Sequence, residues 1–286
     1  MKKTIRYVLS NGIKYLEENQ VSDAKIDANL LLEYVLDVNK VYIIINGNEE
    51  LTKEQIDKYM ELIRLRADKK PLQYIIGHQE FMGLDFIVNK NVLIPRQDTE
   101  VLVLEAINCI EGNNIINILE IGTGSGCIPI SICENCKEVI ATTVDISDKA
   151  IEIAKKNAIA NEVSDRITFI QSNLLSNVDK DIEYELFISN PPYIKKDDIN
   201  DLMIEVKDHE PINALDGGKD GLYFYREISK QVKDFATKKS YILYEVGHNQ
   251  SIEVKNILED YGYTDIEIIK DLAGINRVVK GVYRPL

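Results

Sequence analysis

The sequence is poor in cysteine. Its 286 residues include four cysteines, which are too few for a disulfide framework in a chain of this length. Cys133 and Cys136 have the spacing of a metal-binding pair, but a pair supplies only two ligands and no histidine lies near it in the sequence. We therefore predict no metal site and interpret these residues as ordinary helix and loop cysteines.

Membrane-directing segments are also lacking. No apolar run approaches the roughly 20 residues that a membrane-spanning helix requires. The segment Met1–Lys3 is not followed by the apolar core of a signal peptide. We expect a cytoplasmic protein with no membrane partner.

Basic residues are outnumbered by acidic ones, 34 to 47, which gives a net charge of -13. Residues 1–75 carry equal numbers of both, so the acidic excess falls on the rest of the chain. An acidic surface repels a phosphate backbone, and no basic target-recognition segment is present. We therefore predict no direct binding of nucleic acid.

Residues 1–75 are predicted to form a small helical bundle. Apolar residues recur at three- and four-residue spacing in 3–19 and 23–38. Thr52 and Gln55 have the spacing of a capping box at the start of a further helix, and residues 41–45 fit either a strand or a short helix. This part of the sequence contains no metal-binding cluster and no glycine-rich loop. We therefore predict that the bundle is a docking domain for a partner, and the alternative is that it serves only as a structural scaffold.

Residues 76–97 are predicted to form a β-hairpin linker. From residue 72 to 95 apolar residues alternate around Gly83 and around 89–91, which is typical of one or two hairpins. Asp98 or Thr99 is then expected to cap a helix that starts near Val101.

Residues 98–286 are predicted to form an α/β domain, because strand, loop and helix patterns alternate from Ile115 onward. This alternation favours a mostly parallel sheet with helices on both faces. The predicted strands are 115–120, 139–144, 167–170, 186–188, 241–246, 265–269 and 277–282, and the predicted helices are 101–110, 127–132, 148–160, 222–236 and 250–260.

The fourth of these strands ends at the motif Ser189-Asn190-Pro191-Pro192-Tyr193. Two consecutive prolines cannot donate to a ladder, so the chain leaves the sheet in a stiff turn, at the strand end where open α/β sheets bind ligands. The Asn190 side-chain oxygen and the Pro191 carbonyl would accept from the two N–H bonds of a planar NH₂ group and favour the geometry of attack. Tyr193 would stack on that group. The alternative to this substrate-binding role is that the motif only ends the strand, with the asparagine capping the turn.

The first strand leads into a glycine loop, Gly122-Thr123-Gly124-Ser125-Gly126. Its spacing differs from the dinucleotide fingerprint Gly-x-Gly-x-x-Gly. Glu120, just before the loop, would repel a diphosphate and suit a cation, and Asp145 ends the second strand, where a carboxylate can accept both ribose hydroxyls. These features favour S-adenosylmethionine over NAD.

Several longer segments resemble one family. The similarity to the HemK/PrmC release-factor glutamine N5-methyltransferases runs from about Pro71 to the C-terminus. The residues that carry it are Pro71–Ile75, Gly77, Glu80–Phe86, Val92–Glu100, Glu210–Leu222 and Asp271–Val279. The resemblance implies a class I S-adenosylmethionine-dependent methyltransferase fold with a seven-stranded sheet. It also implies methylation of the glutamine in the Gly-Gly-Gln loop of peptide chain release factors, with S-adenosylhomocysteine as the second product, and a bundle that helps to hold the release factor.

Site residues follow from the same resemblance. Gly122–Gly126 and Asp145 would contact S-adenosylmethionine, and Asn190–Tyr193 would hold the glutamine amide, with Asn190 at the edge of both ligands. The sequence departs from the family at Asn173 and Leu174, where relatives often have an acidic and an aromatic residue. Asn173 can still accept from the adenine amino group and Leu174 can still cover the adenine, so we expect weaker cofactor affinity.

Three other functions fit parts of the sequence. The same proline turn would suit an adenine-N6 or cytosine-N4 nucleic-acid methyltransferase, which the missing basic segment disfavours. A ribosomal protein could supply the glutamine in place of a release factor. A non-catalytic binding module on this fold is disfavoured by the presence of both the glycine loop and the proline turn.

Overall fold

The computed structural model describes residues 3–285. By internal contacts the chain divides into two compact units. The bundle unit comprises the segment up to His78 together with Met203–His209, and the catalytic unit comprises Gln79–Leu202 and the chain from Glu210 onward. The sequence-based division at residues 75 and 97 stays a proposal.

The secondary structure is numbered in chain order. The α-helices of the described range are α1 (Ile5–Glu18), α2 (Ala24–Leu36), α3 (Lys40–Ile45), α4 (Lys53–Ala67), α5 (Leu72–Ile76), α6 (Glu100–Asn113), α7 (Cys127–Asn135), α8 (Asp148–Ala160), α9 (Ile204–Lys207), α10 (Tyr223–Gln231) and α11 (Ser251–Asp260). The strands are β1 (His78–Phe81), β2 (Leu84–Ile87), β3 (Asn117–Ile121), β4 (Ile140–Asp145), β5 (Ile167–Gln171), β6 (Tyr184–Ser189), β7 (Ala236–Glu245), β8 (Thr264–Lys270) and β9 (Asn276–Tyr283). Among residues 3–285, no helix has both the length and the apolar character that crossing a membrane requires.

The bundle unit contains α1 to α5 and α9. The predicted capping box opens α4, where the Thr52 hydroxyl accepts from the Gln55 N–H at 3.2 Å and the Gln55 side chain accepts from the Thr52 N–H at 2.9 Å. Residues 41–45 form the helix α3, which Asn39 caps by accepting from the Tyr42 N–H at 3.0 Å. This N-cap favours a helix over the strand that the same apolar residues also allowed.

Arg66 is a buried cation within the bundle unit. Its Nε lies 2.6 Å from Asp27 Oδ2 and its Nη2 lies 2.8 Å from Glu205 Oε1. Breaking such a buried pair by removing one partner is strongly destabilising, because an uncompensated charge remains. Glu205 is part of α9, so this network ties residues 203–209 to the bundle.

The predicted linker contains one hairpin, β1 and β2, with Met82 (φ +53°) and Gly83 (φ +75°) in its turn. The extended pattern expected from residue 72 onward is wrong at its start, because Leu72–Ile76 form α5. This five-residue helix begins after Pro71 and ends at Gly77, whose φ of +90° closes it. It is too short to show a helical period in the sequence.

The prediction of a mostly parallel α/β sheet is confirmed. Seven strands lie in the order β5-β4-β3-β6-β7-β9-β8. Neighbours from β5 to β7 are parallel, whereas β9 is antiparallel to both β7 and β8. Leu186 and Phe187 alternate along β6 and join two different apolar clusters, so a core covers each face of the sheet. The chain order reverses between β4 and β6 on either side of β3, and a ligand crevice is expected at this switch point.

Candidate active site

A cavity of about 500 Å³ opens at the carboxyl ends of β3, β4 and β6. Its volume falls in the range typical of small-molecule sites. The sequence-predicted residues that line it are Glu120, Gly122, Thr123, Gly124, Ser125, Asp145, Asn173, Leu174, Asn190, Pro191 and Pro192. Gly126 and Tyr193, two further predicted site residues, are not among the described residues of its wall.

The glycine loop is tied to the neighbouring strand. The N–H groups of Gly122 and Thr123 donate to the Val144 carbonyl at 2.8 and 3.0 Å. Gly126 precedes α7 with φ +80°, and a Cβ there would lie 3.0 Å from the Cβ of Ala154. Gly126 therefore allows α7 and α8 to approach each other, which is a packing role, and the other four loop residues line the cavity.

Asp145 is a carboxylate held by backbone donors. Its Oδ2 accepts from the Gly124 N–H and its Oδ1 from the Ser147 N–H, both at 2.9 Å. Burial raises the pKa of Asp145, and these backbone hydrogen bonds oppose that effect. A carboxylate has about four acceptor positions, so Asp145 retains acceptors for hydroxyl groups of a ligand in the cavity.

Glu120 is fully buried on the cavity wall. The Thr143 hydroxyl donates to its Oε2, and Thr143 also lies 2.7 Å from the Thr123 hydroxyl of the glycine loop. Burial raises the pKa of Glu120 well above its ordinary value, against the effect of the Thr143 hydrogen bond. A cation beside this group would favour its ionised form, so the site suits a positively charged ligand.

Asn173 and Leu174 line the cavity after β5. Leu174 has φ +51°, a left-handed conformation that is uncommon for a residue other than glycine. The Ser172 N–H donates to the Asp145 carbonyl at 2.9 Å, which fixes this segment beside β4. The weaker cofactor affinity expected from these two residues stays a prediction.

The proline turn joins the cavity through Asn190, Pro191 and Pro192. The Ser189 hydroxyl donates to the Ile121 carbonyl at 2.6 Å, so the ends of β6 and β3 are held together. The Asn190 Nδ2 donates to the Thr99 hydroxyl at 3.2 Å. Thr99, predicted as a possible cap of α6, makes no capping hydrogen bond with its side chain and belongs to the site.

The Tyr193 side chain packs against the apolar cluster that contains Phe187 and Tyr225. Its predicted stacking on the substrate therefore stays a prediction. The carbonyl of Tyr193 has a clear role, because it accepts from the Gln250 Nε2 at 2.9 Å. Gln250 also donates to the Gly221 carbonyl at 3.3 Å and accepts from the Gly247 N–H at 3.1 Å, so one side chain holds the proline turn against two other loops.

Glu245 ends β7 and is 3% exposed. The polar side chains of Thr99 and Asn190 lie beside its carboxyl group. Burial raises the pKa of Glu245 to about 7, and the neighbouring Thr99 and Asn190 side chains oppose the effect. Its Oε2 has no hydrogen-bond partner among residues 3–285.

Arg96 and Glu210 form an ion pair beside the cavity. Arg96 lines the cavity wall, and the buried Glu210 directly precedes Pro211 and Ile212, which line it as well. Sequence reasoning assigned no role to Glu210, Glu245 or Gln250. Glu210 lies in a segment that carries the family resemblance, whereas Gln250 gave no signal of its own.

Gly221→Ala is expected to lower turnover about tenfold to a hundredfold, because a displaced reacting group loses rate steeply. A Cβ at Gly221 would lie 2.5 Å from the Tyr193 carbonyl oxygen and would shift the proline turn. Steady-state kinetics check this. Gly262→Ala is the matched control, since Gly262 has φ +81° against +74° for Gly221 but nothing within 4 Å of its Cβ position. Equal turnover in both variants would contradict the role of this contact.

Two family models of known proteins match this chain. The family model of the PrmC N-terminal domain matches residues 8–77, and that of the methyltransferase small domain matches residues 99–208. A release factor glutamine methyltransferase of Fusobacterium nucleatum is 42% identical over 273 residues, which cover 95% of this chain and 77% of that protein. The chain belongs to the release factor glutamine methyltransferases. A second member of the family, from Clostridium botulinum, is 40% identical over 277 residues, covering 96% of this chain and 98% of the other.

Membership of the release factor glutamine methyltransferases confirms the family and the enzyme class predicted from the sequence. Among solved structures, the hMettl16 catalytic domain in complex with a hairpin of the MAT2A 3′UTR has a TM-score of 0.58 at 17% identity. That match covers 89% of this chain and 93% of the other. At this identity it supports the predicted methyltransferase fold and nothing further.

Proposed function

We propose that this protein transfers a methyl group from S-adenosylmethionine to the side-chain amide nitrogen, N5, of the glutamine in the Gly-Gly-Gln motif of a peptide chain release factor. The observation that carries the proposal is that the glycine loop, Asp145 and Asn190 line one cavity. A methyl donor and an amide acceptor bound there would share a single enclosed space. The names of the relatives support the choice of a release factor as substrate.

The cavity wall fits S-adenosylmethionine. Asp145 retains acceptor positions suited to ribose hydroxyls, and the buried Glu120 suits a cationic ligand. The glycine loop adds a wall of small residues. When bound, S-adenosylmethionine supplies an electrophilic methyl group on a positively charged sulfur.

The chain's own contribution is to position and polarise the glutamine amide. An amide nitrogen is a weak nucleophile, because its lone pair is delocalised into the carbonyl group. Asn190 Oδ1 and the Pro191 carbonyl would accept from its two N–H bonds and favour the pyramidal form that attacks. Fixed acceptors of this kind act without reorganisation during the reaction. The product can release its proton late, to water or to a backbone acceptor, so no strong base is required in the turn.

The bundle unit is proposed to hold the release factor. Its helix α3 carries two strongly exposed isoleucines, Ile44 (66%) and Ile45 (75%), next to the exposed Val41. Apolar side chains grouped on a surface typically mark sites of protein interaction.

The double variant Ile44→Ser/Ile45→Ser is expected to raise KM for the intact release factor about fivefold or more, since truncating a central interface residue costs more than about 1 kcal/mol. Turnover at saturation and KM for a short Gly-Gly-Gln peptide should stay unchanged, because neither depends on the bundle. Ile159→Ser on α8, 67% exposed in the catalytic unit, is the control. An unchanged KM for the intact release factor would contradict the proposal that α3 binds it.

Mass spectrometry tests the proposed function directly. The full-length protein is incubated with S-adenosylmethionine and, in separate reactions, with a release factor, ribosomal proteins or adenine-containing oligonucleotides. We expect one added methyl group, located on the glutamine of the Gly-Gly-Gln peptide. Methylation of a ribosomal protein or of adenine in place of the release factor would overturn the substrate assignment, and absence of product from every reaction would favour a binding module.

A further inference from the structure

Glu245 is a buried carboxyl group beside the proline turn. β6 and β7 are parallel with Ser189 opposite Tyr244, so Asn190 and Glu245 follow on adjacent strands. Burying a carboxylate without a direct cation is costly. The nearby Arg277 is committed elsewhere, with its guanidinium 2.8 Å from Asp98 and 2.9 Å from Asp271. A costly group at this position points to a functional requirement.

The contacts of Asn190 explain what Glu245 does. An amide side chain has two N–H donors on nitrogen and acceptor capacity only on oxygen. The Asn190 Nδ2 donates to the Thr99 hydroxyl at 3.2 Å, and the register of β6 and β7 brings the Glu245 carboxyl group beside the same amide. The nitrogen of Asn190 therefore faces Thr99 and this carboxyl group, and Oδ1 is left as its acceptor in the cavity.

We propose that Glu245 and Thr99 are positioning residues that fix the Asn190 amide with Oδ1 available to the substrate nitrogen. This inference rests on the proposed function. The opposite orientation would place Oδ1 against the Glu245 carboxylate and present the Asn190 NH₂ to the NH₂ of the glutamine, so that two donors would face each other. One ionised carboxylate therefore selects the orientation that accepts the substrate amide.

The placement of Glu245 beside Asn190 predicts a pH dependence with a definite sign. A protonated Glu245 can donate to Oδ1 of the flipped amide, so the selection is lost on protonation. Since burial raises the pKa of Glu245 to about 7, turnover should fall as the pH drops through about 7 while cofactor affinity is kept. The titratable and charged groups that face this carboxyl are Asp98, Cys127, Tyr193, Tyr225 and Arg277.

Glu245→Gln in the full-length protein tests the inference, because it keeps the side-chain shape and removes the charge. We expect turnover to fall about tenfold or more at pH 8, as for the loss of a preorganising group, with the dissociation constant for S-adenosylmethionine within about twofold of wild type. The decline in turnover below pH 7 should disappear in this variant. Thr99→Val should also lower turnover, whereas Thr99→Ser, which keeps the hydroxyl, should restore it.

Thermal unfolding separates positioning from a structural role. A carboxyl whose pKa is about 7 in the folded protein against an ordinary value of 4.5 destabilises the fold as the pH rises from 4.5 through 7. Glu245→Gln should therefore unfold at a higher temperature than wild type at pH 8, although it is less active. Wild-type turnover in this variant, or an unchanged acid decline, would overturn the inference. A wild-type protein that methylates no release factor would count against the proposed function instead.

Discussion

Asn190→Ala is expected to lower turnover on the release factor by at least about a hundredfold, the typical effect of removing one preorganised hydrogen-bonding group. The variant loses the side-chain acceptor that is proposed to polarise the glutamine amide. It keeps the Pro191 carbonyl and the stiff proline turn, because neither depends on the Asn190 side chain. The loss should appear in kcat at saturating concentrations of both substrates.

Single-turnover kinetics and calorimetry with S-adenosylmethionine check this expectation. Cofactor affinity should stay within a few-fold of wild type, since Asp145 and the glycine loop are untouched. Asn173→Ala is the matched control, because Asn173 lines the same cavity on the side assigned to the adenine. That variant should raise the KM for the cofactor with little change in kcat. Near-normal turnover of Asn190→Ala would show that the Asn190 side chain does not polarise the glutamine amide.

Asp145→Ala is expected to weaken S-adenosylmethionine binding by about tenfold to a thousandfold. Losing one hydrogen bond to a charged group costs about 1.5–3 kcal/mol, or about 10- to 150-fold in affinity, and loss of the second proposed ribose contact extends the range upward. The change also removes the acceptor of the Gly124 N–H in the glycine loop. The effect should be largely confined to binding, so kcat at saturating cofactor should remain closer to wild type.

Titration calorimetry measures the affinity of Asp145→Ala for the cofactor. Asp148→Ala makes the same change of charge three residues further along, at an exposed position outside the cavity wall, and is the control. A general electrostatic effect would appear in both variants, whereas a ribose ligand would be lost only in the first. Unchanged affinity of Asp145→Ala would rule out its assigned role.

Local signals account for the part of the site that was predictable from the sequence. The glycine loop, Asp145 and the proline turn each follow a strand whose apolar pattern marks its end, and the carboxyl ends of parallel strands meet at one edge of a sheet. The fold class follows from the same alternation. A five-residue helix such as α5 carries no comparable signal, because it is too short for a helical period.

Long-range pairing accounts for the rest. Glu245 reaches Asn190 because β7 lies beside β6, and Thr99 reaches both from the start of α6. No residue pattern specifies these neighbours before the strand order is known. Thr99 shows the limit clearly, since its sequence position predicts a helix cap and its hydroxyl instead accepts a hydrogen bond from Asn190.

The inserted segment Met203–His209 has a consequence for engineering. The chain passes between the two units three times, near residues 78, 202 and 209, so no single cut separates them. A deletion of the N-terminal helices would leave Glu205 without its ion-pair partner, Arg66. A chimaera that replaces the N-terminal helices must therefore replace residues 203–209 together with them, so that the two sides of the buried contact between positions 66 and 205 are exchanged as a unit.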